Sequence, residues 1–184
     1  KAAGGMDFDL AYYLAEAHER LGELDLAEER AKDAVALRPG REGLRLQARI
    51  LVAAGKNAPA RDVLARYLEL APEDAKLREV FQKVSGTATF DDGNRLYRGS
   101  NYEGAAAAFE KAVQLFPPPV HPVVRIMWAN ALYLAGEKNP GKRADYQARA
   151  QRLAEAYQDE PSQFLQVYDL LFNLATAQSN FTRT

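Results

Sequence analysis

Residues 90–117 read Phe90-Asp-Asp-Gly93-Asn94-Arg-Leu96-Tyr97-Arg98, then Gly99-Ser100-Asn101, then Tyr102-Glu-Gly-Ala105-Ala-Ala-Ala-Phe109-Glu-Lys-Ala112-Val-Gln-Leu-Phe116-Pro117. Apolar residues recur here at spacings of three and four, the period of an amphipathic helix, on both sides of a short polar and glycine-bearing break. The stretch therefore predicts two helices, Phe90 to Arg98 and Tyr102 to Phe116, folded back on each other at residues 99–101. Pro117-Pro118-Pro119 stops the second, because proline has no backbone N–H to donate and its ring clashes with the preceding turn. A small residue such as Gly93 lets two helices cross closely, and large neighbours fill the adjoining groove. The unit is a helical hairpin.

Working outward, the same punctuation recurs. Gly22 and Gly55 stand 33 residues apart, as do Pro39 and Pro72, each pair marking a turn inside a hairpin and then the end of it. Leu10, Leu14, Ala17 and Leu21 form one helical stripe, and Leu24, Ala27, Ala31, Ala34 and Leu37 the next. The second hairpin repeats the plan with Leu44, Ala48 and Leu51 before Gly55, then Val63, Leu64, Tyr67, Leu68 and Leu70 before Pro72. A fifth helix, Glu73 to Val84, has acids in its first turn and Leu77, Val80, Phe81 and Val84 on one face. The flexible and β-branched Ser85-Gly86-Thr87 predicts a bend after it.

Beyond the proline run, Val123 to Ala135 and Ala144 to Tyr157 make a fourth hairpin around a turn at Gly136, lengthened by Lys138-Asn-Pro-Gly-Lys-Arg143. Pro161 opens a last helix with Phe164, Val167, Tyr168, Leu171, Leu174 and Ala175 at spacings of three and four. The expected organisation is thus all-α, a solenoid of about four hairpins plus extra closing helices. Residues 1–6 read as a cloning remnant or disordered start, 7–85 as two hairpins plus a closing helix, 86–178 as two hairpins with a long turn plus a C-terminal closing helix, and 179–184 as a tail.

The chain resembles the tetratricopeptide repeat (TPR) family, whose units of about 34 residues place small and large residues at fixed turns of two helices. Gly93-Asn94, Leu96-Tyr97, Tyr102, Ala105, Phe109, Ala112 and Pro117 fall where that family has its signature. The fourth unit matches at Trp128-Ala129-Asn130-Ala-Leu-Tyr133 and Gly136. The first two match at Leu14, Ala15, Gly22, Ala27, Ala34 and Pro39, then at Ala48, Gly55, Ala60 and Pro72. The resemblance covers roughly residues 7 to 157, with the Glu73 helix and the Lys138 turn as departures. The chain's resemblance to alanine- and arginine-rich repeat proteins implies a bacterial source.

Charge argues against a polyanion binder, although helical repeats as a class can bind nucleic acid. The chain carries 24 basic and 25 acidic side chains, and a cut near Ser85 leaves each half balanced, so neither shows the basic stripe that nucleic acid requires. No apolar run approaches the roughly 18 residues needed to cross a bilayer. The start Lys1-Ala-Ala-Gly-Gly-Met6 lacks a signal-peptide core, although a leader or anchor cut from a parent protein would leave the same start. With no cysteine, disulfides, thiolate metal sites and cysteine nucleophiles drop out, and the compartment stays open between cytoplasm and periplasm.

Residues with catalytic chemistry are sparse. The only two histidines, His18 in the first helix and His121 in a proline-flanked linker, are far apart. His18 reads as a packing residue and His121 as a linker residue. No phosphate loop, dinucleotide fingerprint, zinc helix motif or nucleophile elbow occurs. Asp91-Asp92-Gly93-Asn94 lacks the spacing and closing glutamate of a calcium loop. The basic turn Lys138 to Arg143 could touch a phosphate or an acidic partner, but its plainer reading is a solvated loop. We expect no enzyme, no catalytic residue, no metal and no cofactor.

Repeat scaffolds bind partners on the concave face formed by the first helix of each hairpin. The TPR resemblance places Tyr12 and Glu16, Arg45 and Arg49, Asn94, Tyr97 and Arg98, and Asn130 with Tyr133 on that face. It implies that Asn94 and Asn130 hydrogen-bond a ligand main chain and that the arginines favour acidic groups. The first unit offers Tyr12 and Glu16 where a carboxylate clamp has a basic residue and an asparagine, so the full clamp is not reproduced. The expectation is an adaptor or assembly factor holding a peptide or helix of an unknown protein. The rivals are a self-assembling module, which would join copies through Phe164, Tyr168, Leu171 and Phe172, and a regulatory domain of a larger protein.

Overall fold

The structure, a computed structural model, describes residues 6–157 and 164–181. Among the described residues there is no strand. The α-helices are α1 (Phe8–Leu21), α2 (Leu24–Leu37), α3 (Arg41–Ala53), α4 (Asn57–Leu70), α5 (Ala75–Arg98), α6 (Tyr102–Leu115), α7 (Pro122–Lys138), α8 (Arg143–Glu155) and α9 (Phe164–Phe181), with a 3-10 turn at Pro140–Lys142. Packing divides the chain into two compact units, one ending at Ala88 and the other starting at Thr89.

Local chemistry sets the helix ends. The Asp7 carboxylate accepts from the Leu10 N–H at 2.8 Å and caps α1, supplying one of the acceptors that the first turn lacks. Asp74 does the same for α5 through the Leu77 N–H, at 3.0 Å, and Asn101 for α6 through the Gly104 N–H, at 3.1 Å. Gly22 and Gly55 take φ of 77° and 69°, left-handed values that a side chain disfavours. Both hairpin turns fall where the 33-residue spacing places them.

In the first unit α1 packs on α2, α2 on α3 and α3 on α4, and α1 also touches α3. Ala15, Ala27 and Ala31 meet Leu46 and Ile50 in one cluster, and Leu44, Ala48, Leu51, Leu64 and Tyr67 fill another, against which Leu77, Val80 and Phe81 of α5 pack. In the second unit α6 packs on α7, α7 on α8, and α9 on both α8 and α7. Its core joins Phe109, Ile126, Leu132, Val167, Leu170 and Leu174. The small residues expected at the crossings, Ala15, Ala48, Gly93 and Ala129, are all buried. This is a TPR-like array of helical hairpins.

Four local expectations are corrected. The chain does not leave its helix at Ser85-Gly86-Thr87, because α5 runs through to Arg98. Val84, Ser85, Ala88 and Thr89 are buried, and that burial outweighs the roughly 1 kcal/mol that a helical glycine costs. Thr87 Oγ1 donates to the Lys83 carbonyl at 3.0 Å, one helical turn back. Gly136 is not a turn residue but lies buried within α7, where a Cβ would come to 3.4 Å from the Arg143 backbone and from Tyr146 Cβ. On α1 the packed residues are Ala11 and Ala15, whereas Leu10 and Leu21 are 47% and 72% exposed. On α9, Leu170 is buried with Val167 and Leu174 while Tyr168 and Phe172 are exposed, so the apolar stripe is rotated from the expected one. The helix opening at Pro161 and the side chain of Phe164 lie outside the described residues.

Candidate functional site

Each first helix of a hairpin carries a small buried crossing residue, and the residue after it is rotated about 100° round the helix, to the edge of the packed line. In α1 the pair is Ala15 and Glu16, in α3 Ala48 and Arg49, in α5 Gly93 and Asn94, and in α7 Ala129 and Asn130. In the first unit these edge residues meet: Arg49 donates to Glu16 at 3.2 Å and to Glu19 at 2.7 Å. Arg20 adds a longer contact to Glu16, at 3.9 Å. Glu16 and Arg49 therefore neutralise each other rather than presenting two open charges.

Arg45, one turn before Arg49, is exposed and makes no hydrogen bond or ion pair among the described residues. Its charge nonetheless helps hold the Asp74 carboxyl below the usual carboxylate range, after the larger effects of the Leu77 N–H and the Tyr67 hydroxyl. Arg45 and Arg49 rim a cavity of about 290 Å³ whose remaining walls are Ala48, Val52, Leu64, Leu77 and Val80. An apolar floor with one open cationic edge, at Arg45, suits an aliphatic side chain carried next to an acidic group. Tyr12 is half-buried, its ring 5.6 Å from Phe8 and 5.9 Å from Tyr13.

In the second unit Asn94, Tyr97 and Arg98 share one face of α5 by their spacing of three and four, and Asn130 and Tyr133 share a face of α7. Both asparagines are half-buried, and among the described residues nothing hydrogen-bonds either amide. Tyr97 stacks edge-on with Tyr102 at 5.3 Å. Burial pushes the hydroxyls of Tyr97 and Tyr133 above the ordinary tyrosine value, with a further push from Tyr102 on the first and Glu137 on the second. Both stay protonated donors at neutral pH. Arg98 is exposed and has no ion pair among the described residues.

The other chemistry-bearing residues have structural partners. His18 is half-buried, with Nδ1 at 2.6 Å from Glu23. His121 Nδ1 accepts from the Val123 N–H at 3.2 Å and caps α7, a role the linker reading missed. In the basic turn, Lys138 donates to the Ser100 carbonyl at 3.0 Å, Lys142 reaches Glu103 at 2.6 Å, and Arg143 lies 3.6 Å from Glu137. That turn is tied to the start of α6 and the end of α7. Asp92 pairs with Arg95, and among the described residues no group of three or more acids and histidines is placed to hold a metal ion. No helix among them is long and apolar enough to cross a membrane. Sequence reasoning also missed a cleft lined by Arg125, Trp128, Arg149 and Arg152, because its residues come from different helices. Its one visible signal is the spacing of three in each pair of α7 and α8.

Helix order, crossing residues and edge positions define a TPR-like helical-hairpin protein, and the chain resembles the tetratricopeptide repeat family. No family model matches the sequence. Among curated proteins the chain is similar to the DnaJ homolog subfamily C member 7 homolog of Schizosaccharomyces pombe, 28% identical over 131 residues. That match covers 70% of this chain but only 28% of the relative's length. Among solved structures it is similar to the P58(IPK) TPR domain, with 14% identity and a TM-score of 0.47 over 97% of this chain and 58% of that one. It is also similar to the MamA protein, with 13% identity and a TM-score of 0.41 over 84% of this chain and 95% of that one.

Proposed function

We propose that the chain is a non-enzymatic protein-interaction scaffold, an adaptor or assembly factor, that holds an extended or helical peptide of another protein on the edge faces of its first helices. The observation that carries this reading is the pair of half-buried, unengaged amides at Asn94 and Asn130, each directly after a crossing residue. A primary amide both donates and accepts, so it can satisfy a peptide group whatever the ligand's sequence. Arg98 beside Asn94 adds a preference for acidic ligand groups in the second unit, and Arg45 over its apolar cavity gives the first unit such a preference of its own.

Photo-crosslinking in the source cells tests this. A photoreactive phenylalanine analogue at position 98 or 133 should trap a common polypeptide that the same analogue at the exposed position 26 does not trap. Adducts that are absent, or identical from position 26, contradict the reading.

A second reading is favoured by α9, where Tyr168 and Phe172 are 46% and 72% exposed. Large apolar side chains on one exposed face suit association between copies of the chain. Light scattering across concentration decides it: a mass that stays monomeric removes self-assembly, and one that Phe172→Glu returns from dimer to monomer supports it.

A further inference from the structure

A cleft in the second unit is lined by none of the residues proposed above to hold a partner. It has a volume of about 360 Å³ and is lined by Glu110 of α6, Arg125 and Trp128 of α7, and Arg149, Arg152 and Leu153 of α8. Three guanidinium groups face one carboxylate. Arg149 spends its charge on Glu110, with both carboxylate oxygens at 3.3 Å, and its guanidinium carbon lies 5.9 Å from the centre of the Trp128 ring. Arg125 and Arg152 have no ion pair among the described residues. On two residues that line the cleft, Nε of Arg125 and Nε1 of Trp128 are buried without an acceptor.

Native proteins seldom leave buried donors unpaired, because each has given up water and gained nothing in return. An indole N–H and an arginine edge three residues apart on one helix face are both donors and neither can accept. With no ion pair on Arg125 or Arg152 among the described residues, the cleft favours an anionic ligand that carries acceptor oxygens. Glu110 in the same cleft opposes a dianion more strongly than a monoanion. Trp128 and Leu153 offer apolar wall for the carbon stem that a side-chain carboxylate carries and a free phosphate lacks.

We propose that this cleft is a second binding site, one that receives a glutamate or aspartate carboxylate of an acidic segment on a partner polypeptide. It uses none of the α3, α5 and α7 residues invoked for the edge faces. An acidic partner would thus be gripped at a place distinct from Asn94 and Asn130, and its loss would not depend on theirs.

The chain has one tryptophan, so intrinsic fluorescence reads this cleft alone. At constant ionic strength, the protein is titrated with an acetylated hexaglutamate peptide, with hexaglutamine, and with inorganic phosphate. A saturable change in Trp128 emission with hexaglutamate only is expected. Arg125→Gln should weaken it by about tenfold, the usual scale for losing one charge-assisted hydrogen bond, and the exposed Arg152→Gln by several-fold, because water screens its charge. Arg152 is exposed, so Arg152→Gln keeps the test valid even where Arg125→Gln fails to fold. The double variant Asn94→Ala, Asn130→Ala should leave the titration unchanged, which separates this site from the edge faces. An equal response to hexaglutamine, a response to phosphate but not to hexaglutamate, no response at all, or full affinity in Arg152→Gln would overturn the proposal.

Discussion

Glu16 and Arg49 lie 33 residues apart in sequence and 3.2 Å apart in space. They hold the same position relative to the crossing residue of their own hairpins, so their contact shows that this edge slot in one hairpin meets the edge slot of the next. It also explains why the first unit lacks the open asparagine that the second unit has twice. Arg49 is half-exposed, at 53%, and an exposed ion pair contributes only about 0–1 kcal/mol. Glu16→Gln with Glu19→Gln should therefore lower the melting temperature by no more than a few degrees. The same change frees Arg49 beside Arg45, so binding of an acidic peptide to the first unit should strengthen several-fold in a titration, and should not strengthen with a neutral peptide.

A closer approach occurs in the second unit, where a Cβ on Gly93 would stand 2.6 Å from Cε1 of Phe109, whose ring is fully buried. The ring also packs on Phe90 at 5.3 Å, which limits its freedom to move aside. Gly93→Ala should cost about 1–3 kcal/mol, the usual range for an overfilled core, and lower the melting temperature by several degrees. Gly141→Ala is the control, since the nearest atom to its Cβ is Asn139 Oδ1 at an ordinary 3.7 Å. Equal melting temperatures for the two variants would show that the crossing at Gly93 is not tight.

Among the buried charges, Glu28 links α2 to the turn between α3 and α4. Lys32 lies at 2.5 Å from one of its oxygens and Lys56 at 2.7 Å from the other. The Lys32 hydrogen bond first, and then that of Lys56, holds its carboxyl below the usual glutamate value. A carboxyl whose folded value is lowered stabilises fully above its unfolded value of about 4.3 and stops doing so as pH falls through the lower folded one. Lys56 is shifted upward, chiefly by Asp25 and then Glu28, so its share persists through neutral pH and fades only as alkali removes its proton. Glu28→Gln should therefore melt below the native chain at pH 7, by the equivalent of about 1 kcal/mol, because both lysines are exposed and water screens their charges. The gap should narrow as pH falls below the unfolded glutamate value and close once the carboxyl is protonated in the folded chain as well. A constant gap across that range would assign the effect to packing instead.

The hairpins were legible because their ends demand particular residues: left-handed turns ask for Gly22 and Gly55, and prolines 39 and 72 end helices by their own covalent structure. What escaped depends on tertiary burial. A local reading of Ser85-Gly86-Thr87 sees poor helix formers, but their helix survives because Val84 and Ala88 are buried beside them. Weighting large apolar residues favoured Leu10 and Leu21 on α1, whereas close helix contact is made by the small Ala11 and Ala15. For the candidate site, residue positions followed from the repeat register. The pairing of Arg49 with Glu16 and Glu19 did not, because it joins side chains 30 or more residues apart. The arginine and tryptophan cleft was hidden for the same reason, being assembled from α6, α7 and α8.

The central claim is that Asn94 and Asn130 hold a partner's main chain. Isothermal titration of the polypeptide trapped by crosslinking, against the native chain and the double variant Asn94→Ala, Asn130→Ala, tests it most directly, with melting temperature as the folding control. Each lost hydrogen bond is worth on the order of 1 kcal/mol, or several-fold in affinity, so the double variant should bind roughly tenfold or more weakly while melting like the native chain. Undiminished affinity in a folded double variant would contradict the account and move the partner off these edge faces.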